Sequence, residues 1–356
     1  MGAPIKFLHT ADLHLKRDEP FRLNVLSWIV SKTEKLANGL IIAGDLFEND
    51  IEASFLRGKV REIFERINPL PILIIPGNHD SLAYSPETHY GDNVILFSEG
   101  PSKIKIKGIK IAGIPFHPQL DFSQCIEKLE FESKPDVAIA HGTLYDKKFP
   151  EIYTELEEEA KYMPIYSWHV EGKMKYLALG HYHSRFIQVG FGKTQVVYPG
   201  APLATSRRSV GKRFVALVQI EKDGEVKVEK IPVEISSYWK KIEWMVFPGK
   251  EEKKLEEIDR EIKRLACKKV MLEGKIKGSI KMGEREFRDR VKEIEEKYRS
   301  SFKCIHLLCE IKHWAHLIQN PTVALFMEKL RGKNYDDLLK ERALELTLSA
   351  LEKLRK

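Results

Sequence analysis

Cysteine is scarce in this chain: Cys125, Cys267, Cys304 and Cys309 are spread over 356 residues and none stands in a CxxC spacing. That argues against a disulfide framework and a cysteine zinc site, and fits reduced thiols of a cytosolic protein. Long apolar runs are missing too, since no stretch reaches the length a membrane span needs. The N-terminus runs into an apolar strand at Ile5–Leu8 without a signal-peptide layout, so a cytoplasmic location is expected. No internal repeat or low-complexity tract is found. The charge excess is mild: 59 Lys and Arg against 52 Asp and Glu give a net +7, which permits an anionic partner such as nucleic acid without requiring one. Length and 43% hydrophobic residues suit a large domain plus a smaller one.

What the chain has instead is a repeated pairing of apolar strand and polar strand end. Ile72–Ile75 reads as a short buried strand closed by Pro76-Gly77, and Asn78, His79 and Asp80 follow at once. A turn in which Asn78 and Asp80 bond their own backbone would explain that stretch alone equally well. The pattern recurs, however. Ile5–Leu8 leads into Asp12 and His14, Leu40–Ile42 into Gly44-Asp45, Val137–Ala140 into His141, and Tyr176–Leu179 into Gly180, His181 and His183. Open α/β sheets build their sites beyond the carboxyl ends of their strands. Imidazole, carboxylate and amide oxygen are ligands for Mn, Fe, Zn or Mg, so five such strand ends point to a two-metal centre.

These residues resemble the calcineurin-like metallophosphoesterases. The fuller stretches HTADLHL (His9–Leu15), GDLF (Gly44–Phe47) and LGHYH (Leu179–His183) resemble in particular the nuclease subunit of the double-strand-break repair complex, the SbcD and meiotic-recombination-eleven type. The resemblance implies that Asp45 bridges two divalent ions, Mn²⁺ being expected, with Asp12, His14 and His183 completing one shell and Asn78, His141 and His181 the other. It implies that His79 is catalytic, contacting the scissile phosphate and assisting the leaving oxygen. Asp80 either orients His79 or caps the turn, and the structural role is favoured; His9 reads as a core histidine or a support to the ligands. Two positions depart from the family pattern: Lys16 replaces a frequent Gly and Glu48 a frequent His, so no role is carried over to Glu48. Lys16, Arg17, Arg207, Arg208, Lys212 and Arg213 are candidates for phosphate contact, or simply solvated loop charges.

Periodicity predicts helices over Phe21–Leu36 and Glu52–Ile67, a hairpin around Gly108, and a run of antiparallel strands at Gln195–Tyr198, Phe214–Ile220 and Val226–Val233. The fold class is α/β, and the resemblance implies a four-layer αββα sandwich over residues 1–235. From Lys240 the order strand, helix, strand, helix, strand resembles the α+β capping domain of the repair nucleases, a DNA-binding module over residues 236–318, although a generic α+β appendage reads the same way. Residues 319–356 read as helical, at Val323–Leu330 and Tyr335–Leu354, docking either on their own domain or on a partner. The expected function is a DNA nuclease, an exonuclease on duplex ends and an endonuclease on single strands. The resemblance adds homodimerisation and an SbcC-type ATPase partner bound through the C-terminal helices. A metallophosphatase or small-molecule phosphodiesterase on the same scaffold is the alternative, and a weakly catalytic scaffolding subunit a further one.

Overall fold

The computed structural model describes residues 4–85, 87–117, 122–127, 129, 134–150, 152, 163–221, 224–313, 321–331, 339, 343, 346 and 347. The chain divides into two compact units, Met1–Tyr238 and Trp239–Lys356.

The first unit is built on two six-stranded sheets. One contains β1 (Ile5–Thr10), β2 (Leu40–Ala43), β3 (Ile72–Ile75), β4 (Val94–Leu96), β13 (Phe214–Ile220) and β14 (Val226–Pro232), in the order β14-β13-β1-β2-β3-β4. The other contains β5 (Ser102–Ile106), β6 (Ile109–Ile114), β7 (Val137–His141), β10 (Tyr176–Gly180), β11 (Ile187–Phe191) and β12 (Thr194–Tyr198), in the order β11-β12-β10-β7-β6-β5. A small parallel pair, β8 (Leu144–Tyr145) and β9 (Ile165–Tyr166), stands apart from both. The first sheet is parallel through β1-β2-β3-β4 and antiparallel at its β13-β14 margin, and the second is parallel through β6-β7-β10-β12 with antiparallel pairs at both margins. The central strands therefore end on a common side of their sheet.

Strand alternation accounts for the layering. Along β2, Leu40 and Ile42 enter one apolar cluster while Ile41 and Ala43 enter another. The first cluster joins the outer face of this sheet to helices α1 (Phe21–Leu36) and α2 (Asp50–Glu65), through Val25, Ile29, Leu56 and Val60. The second fills the space between the sheets, where Phe7, Ile41, Leu73 and Ile75 meet Ile111, Val137, Ile139 and Val197. A third covers the outer face of the other sheet, with Ala138, Leu177 and Val196 against Phe122 of α3 (Phe122–Glu127) and Val170 of α4 (Ser167–Val170). Three buried layers need four structural ones, so this is the αββα sandwich. Burial on both faces explains why β2 and β3 are apolar at every position rather than at every second one.

Helix α2 begins at Asp50, ahead of the expected Glu52, because Asn49 caps it and accepts a hydrogen bond from Glu52 N at 2.9 Å. The strand run predicted after residue 194 requires a correction. β13 and β14 do form an antiparallel hairpin, but β12 belongs to the other sheet, between β10 and β11 and parallel to β10. The chain changes sheets between Tyr198 and Phe214, and nothing in strand propensity encodes that choice of neighbour.

In the second unit β15 (Tyr238–Val246), α5 (Glu251–Leu265), β16 (Val270–Ile280), α6 (Glu284–Tyr298) and β17 (Cys304–His313) follow the predicted order. The sheet order is β15-β16-β17, with β16 and β17 parallel from Met271–Cys304 to Ile280–His313. Leu255, Ile258 and Ile262 of α5 and Phe287 and Val291 of α6 form the buried helical stripes. Helix α7 (Pro321–Arg331) coincides with the helix expected at Val323–Leu330, whereas the segment Tyr335–Leu354 lies outside the described residues apart from isolated positions. Among the described residues no helix is long and apolar enough to cross a membrane.

Candidate metal centre

Five strand ends of the first unit converge. Asp12 and His14 follow β1, Asp45 follows β2, and Asn78 follows β3, while His141 ends β7 and His181 and His183 follow β10. Pairing of the first two strands continues past their ends: Asp12 N donates to Gly44 O (3.1 Å), His14 N to Asp45 O (3.0 Å) and Leu15 N to Leu46 O (2.9 Å). Two hydrogen bonds tie the sheets together at the site. His181 N donates to Asp12 Oδ1 at 2.9 Å, and His141 Nδ1 donates to the Ala43 carbonyl at 2.8 Å.

The backbone is strained at these positions. Asp12, His14, Asp45 and His181 have φ values of 58°, 48°, 51° and 98°, in the left-handed region that side chains seldom adopt. Such conformations persist only where surrounding structure over-determines them, and they gather at functional sites. Gly77 shows how tightly the loops fit: a Cβ added there would sit on Asp45 Oδ1.

The donor atoms fall into two groups with one carboxylate between them. His14 Nε2 and His183 Nε2 lie 3.2 Å apart, and His183 Nε2 is 3.6 Å from Asp12 Oδ1. Asn78 Oδ1 lies 3.1 Å from both His141 Nε2 and His181 Nδ1. Asp45 Oδ2 reaches towards both groups, 3.2 Å from His141 Nε2 and 3.7 Å from His14 Nε2. Asp12, His14, Asp45 and His183 can each present one ligand atom, all within 4.8 Å of one another. His141 Nδ1 spends its proton on Ala43 O, so once Nε2 is deprotonated its lone pair faces Asn78 Oδ1 and Asp45 Oδ2, which are acceptors themselves. Among the described residues, Asp12 Oδ2 and Asp45 Oδ2 are buried without a hydrogen-bond partner. Lone pairs aimed at lone pairs, with orphaned buried carboxylate oxygens, need positive charge among them, and a divalent cation fits that need.

The charges agree. Burial raises the Asp12 carboxyl to about 6, the charge of Asp45 adding to the effect and His141 and His14 opposing it. Burial would raise Asp45 as well, but His141, His14 and His79 hold it well below the usual carboxylate range. Burial acts to lower His141, yet the nearby negative charges of Asp45 and Asp12 raise the imidazole to about 9.

His79 stands apart from this cage. It is exposed; its N–H donates to Asp45 Oδ1 at 3.0 Å, and its Nδ1 lies 3.2 Å from the Glu48 carbonyl. Its ring meets that of His14 edge-on at 4.8 Å, so it borders the centre without sharing the other ligands' focus. Asp80 is fully buried and does not orient His79. Oδ1 accepts from Gly77 N (2.8 Å) and Oδ2 from Phe47 N (3.1 Å) and Tyr84 OH (2.7 Å), so it fastens the metal loops to each other. Burial and the Asp45 charge raise it to about 6. His9 is buried between the sheets with Nδ1 2.8 Å from Tyr176 OH, a core histidine that links β1 to β10.

Three residues hold supporting roles that the sequence does not show. Arg213, a candidate phosphate contact, is instead 2% exposed and donates to the carbonyls of Ala201 (2.8 Å), Ser184 (2.8 Å) and His183, so it braces the His183 loop. Burial lowers it to about 10, which leaves it charged at neutral pH. Arg22, also buried, donates to the Leu13 carbonyl at 3.0 Å between Asp12 and His14. Glu48 places Oε2 3.4 Å from His14 Nδ1. Of the other basic candidates, Lys16 pairs with Glu19 (2.9 Å) and Arg17 with Glu52 (3.1 Å), whereas Arg207, Arg208 and Lys212 are exposed.

The sequence profile of the calcineurin-like phosphoesterases matches residues 5–185. A search of curated proteins found no match. Among solved structures the chain is similar to a conserved uncharacterised protein, a predicted phosphoesterase, from Streptococcus pneumoniae TIGR4, with 14% identity over 67% of this chain and 95% of that one and a TM-score of 0.33. It is also similar to Vps29 complexed with zinc from Entamoeba histolytica, with 14% identity over 64% and 99% of the two chains and a TM-score of 0.29.

Proposed function

The chain belongs to the calcineurin-like phosphoesterase family, and from that premise we propose that it is a two-metal phosphodiesterase whose substrate is DNA. The observation that carries the hydrolytic reading is the convergence of two donor groups on a shared carboxylate, Asp45 Oδ2. Asp12, His14 and His183 would hold one ion, Asn78, His141 and His181 the other, and Asp45 both. Bound divalent cations would neutralise the phosphate oxygens and lower the pKa of an attacking water.

The chain's own groups supply the rest. An amide and four histidines beside only two carboxylates leave a loaded centre positively charged, which favours a phosphate over a neutral ester. If His79 Nδ1–H donates to the Glu48 carbonyl, Nε2 is left for the substrate, and as the imidazolium it can protonate the leaving oxygen. The exposed Arg207, Arg208 and Lys212 can take further backbone phosphates without reading sequence.

DNA as substrate rests on the wording of the strand-end motifs, on the net charge of +7 and on the second unit, which lies beyond the family match. The proposal includes end processing in double-strand-break repair, with Mn²⁺ as metal, the second unit as a DNA-binding cap, a homodimer, and an SbcC-type ATPase held by the C-terminal helices. The test incubates the pure protein and Mn²⁺ with end-labelled linear duplex DNA, and in parallel with a chromogenic phosphomonoester. Degraded DNA beside an untouched monoester is expected. Intact DNA beside a hydrolysed monoester would make the protein a phosphatase, and inertness towards both would leave a scaffold.

A further inference from the structure

Glu48 lies outside the ligand set, and we infer that it is a positioning residue, its carboxylate setting the ring of His14 so that Nε2 faces the metal position. The inference rests on the metal-centre reading and adds to it a residue that the family pattern does not supply.

The geometry is specific. An imidazole has two nitrogens, and the partner of one decides what the other can do. His14 Nε2 faces His183 Nε2 at 3.2 Å and Asp45 Oδ2 at 3.7 Å, while Nδ1 faces Glu48 Oε2 at 3.4 Å. A proton held on Nδ1, beside the Glu48 carboxylate, leaves the Nε2 lone pair for a cation. Among the described residues no other polar partner faces Nδ1. Histidines that bind metals usually place their second nitrogen against a carboxylate or carbonyl, which fixes the ring and raises its basicity.

The backbone explains why Glu48 is there. Leu15 and Phe47 form a β-bridge, and Glu48 N donates to Leu15 O at 3.1 Å. This extension of the β1-β2 pairing sets Glu48 beside His14. The Glu48 carbonyl, in turn, is 3.2 Å from His79 Nδ1. That second contact is made by the main chain, so it survives a change of side chain. A substitution at residue 48 therefore removes the carboxylate from His14 and leaves the His79 contact in place.

The experiment strips metal from the full-length wild type, Glu48→Gln and Glu48→Ala, titrates each with Mn²⁺ by calorimetry, and records thermal unfolding of each metal-free protein. Loss of such a supporting group typically costs roughly 10–100-fold in metal affinity. Glu48→Ala should show that loss at one of two positions, and Glu48→Gln a smaller one because an acceptor oxygen remains, with metal-free Tm values matching wild type. Wild-type affinity in both variants would overturn the inference and leave the metal centre standing. So would a loss of affinity matched by a fall in the metal-free Tm, since that is a structural role. A wild type that takes up no Mn²⁺ would overturn the metal-centre reading and this inference together.

Discussion

The Nε2 atoms of His14 and His183 lie 3.2 Å apart across 169 residues of chain. One side chain follows a strand of the first sheet and the other a strand of the second, so this contact exists only when both sheets are packed. If both lone pairs serve one cation, His14→Ala and His183→Ala should each lower bound metal by one ion per chain, and the double variant should lose no second ion. Elemental analysis after dialysis measures this. Loss of two ions from the double variant would assign the rings to different cations.

His79 borders the centre without joining the proposed ligand set. His79→Ala should retain both ions and DNA affinity while turnover falls by about 10²–10⁴-fold, the usual contribution of general acid–base help. A parallel fall in metal content would make His79 a ligand.

Arg213 holds three carbonyls around the His183 loop. Arg213→Met leaves those buried acceptors unpaired and should destabilise the metal-free protein by about 3 kcal/mol or more. Denaturant unfolding measures it. An unchanged midpoint, with only DNA affinity reduced, would restore the phosphate-contact role that burial argues against.

Burial pushes the His9 imidazole down to about 3, against a smaller upward pull from the Leu179 backbone. The folded pKa is thus below the unfolded value of 6.5. Below pH 6.5 the unfolded chain gains a proton that the folded chain refuses, so stability from this group is full above 6.5 and is lost as pH falls towards 3. The slope is about 1.4 kcal/mol per pH unit. His9→Gln removes the titration, so its stability difference from wild type should shrink as pH falls from 6.5. A constant difference over that window would mean that His9 does not titrate on unfolding.

Much of this was legible in the sequence. Short apolar runs such as Leu40–Ile42 and Ile72–Ile75 are strands buried on both faces, and the polar residues just past them converge because parallel central strands end on one side. Pairing was less legible: β12 has ordinary strand composition whichever sheet it joins, and only the layering places it beside β10. The strand Ile187–Phe191 lies outside the predicted strands although its burial alternates strictly, a period-two signal that Ile187, Val189 and Phe191 carry in the sequence itself. Arg213 and Arg22 could not be read, because a guanidinium that braces backbone carbonyls has the same sequence appearance as one that waits for phosphate. Glu48 differs again: its departure from the family's histidine was visible, but its alignment with His14 depends on backbone pairing beyond the strand ends.

The most direct test of the central claim is anomalous diffraction from a crystal of the full chain soaked in Mn²⁺. The account expects two peaks about 3.5–4 Å apart. One should be ligated by Asp12, His14 and His183, the other by Asn78, His141 and His181, and Asp45 should reach both. A single peak, or two peaks without Asp45 between them, would contradict it.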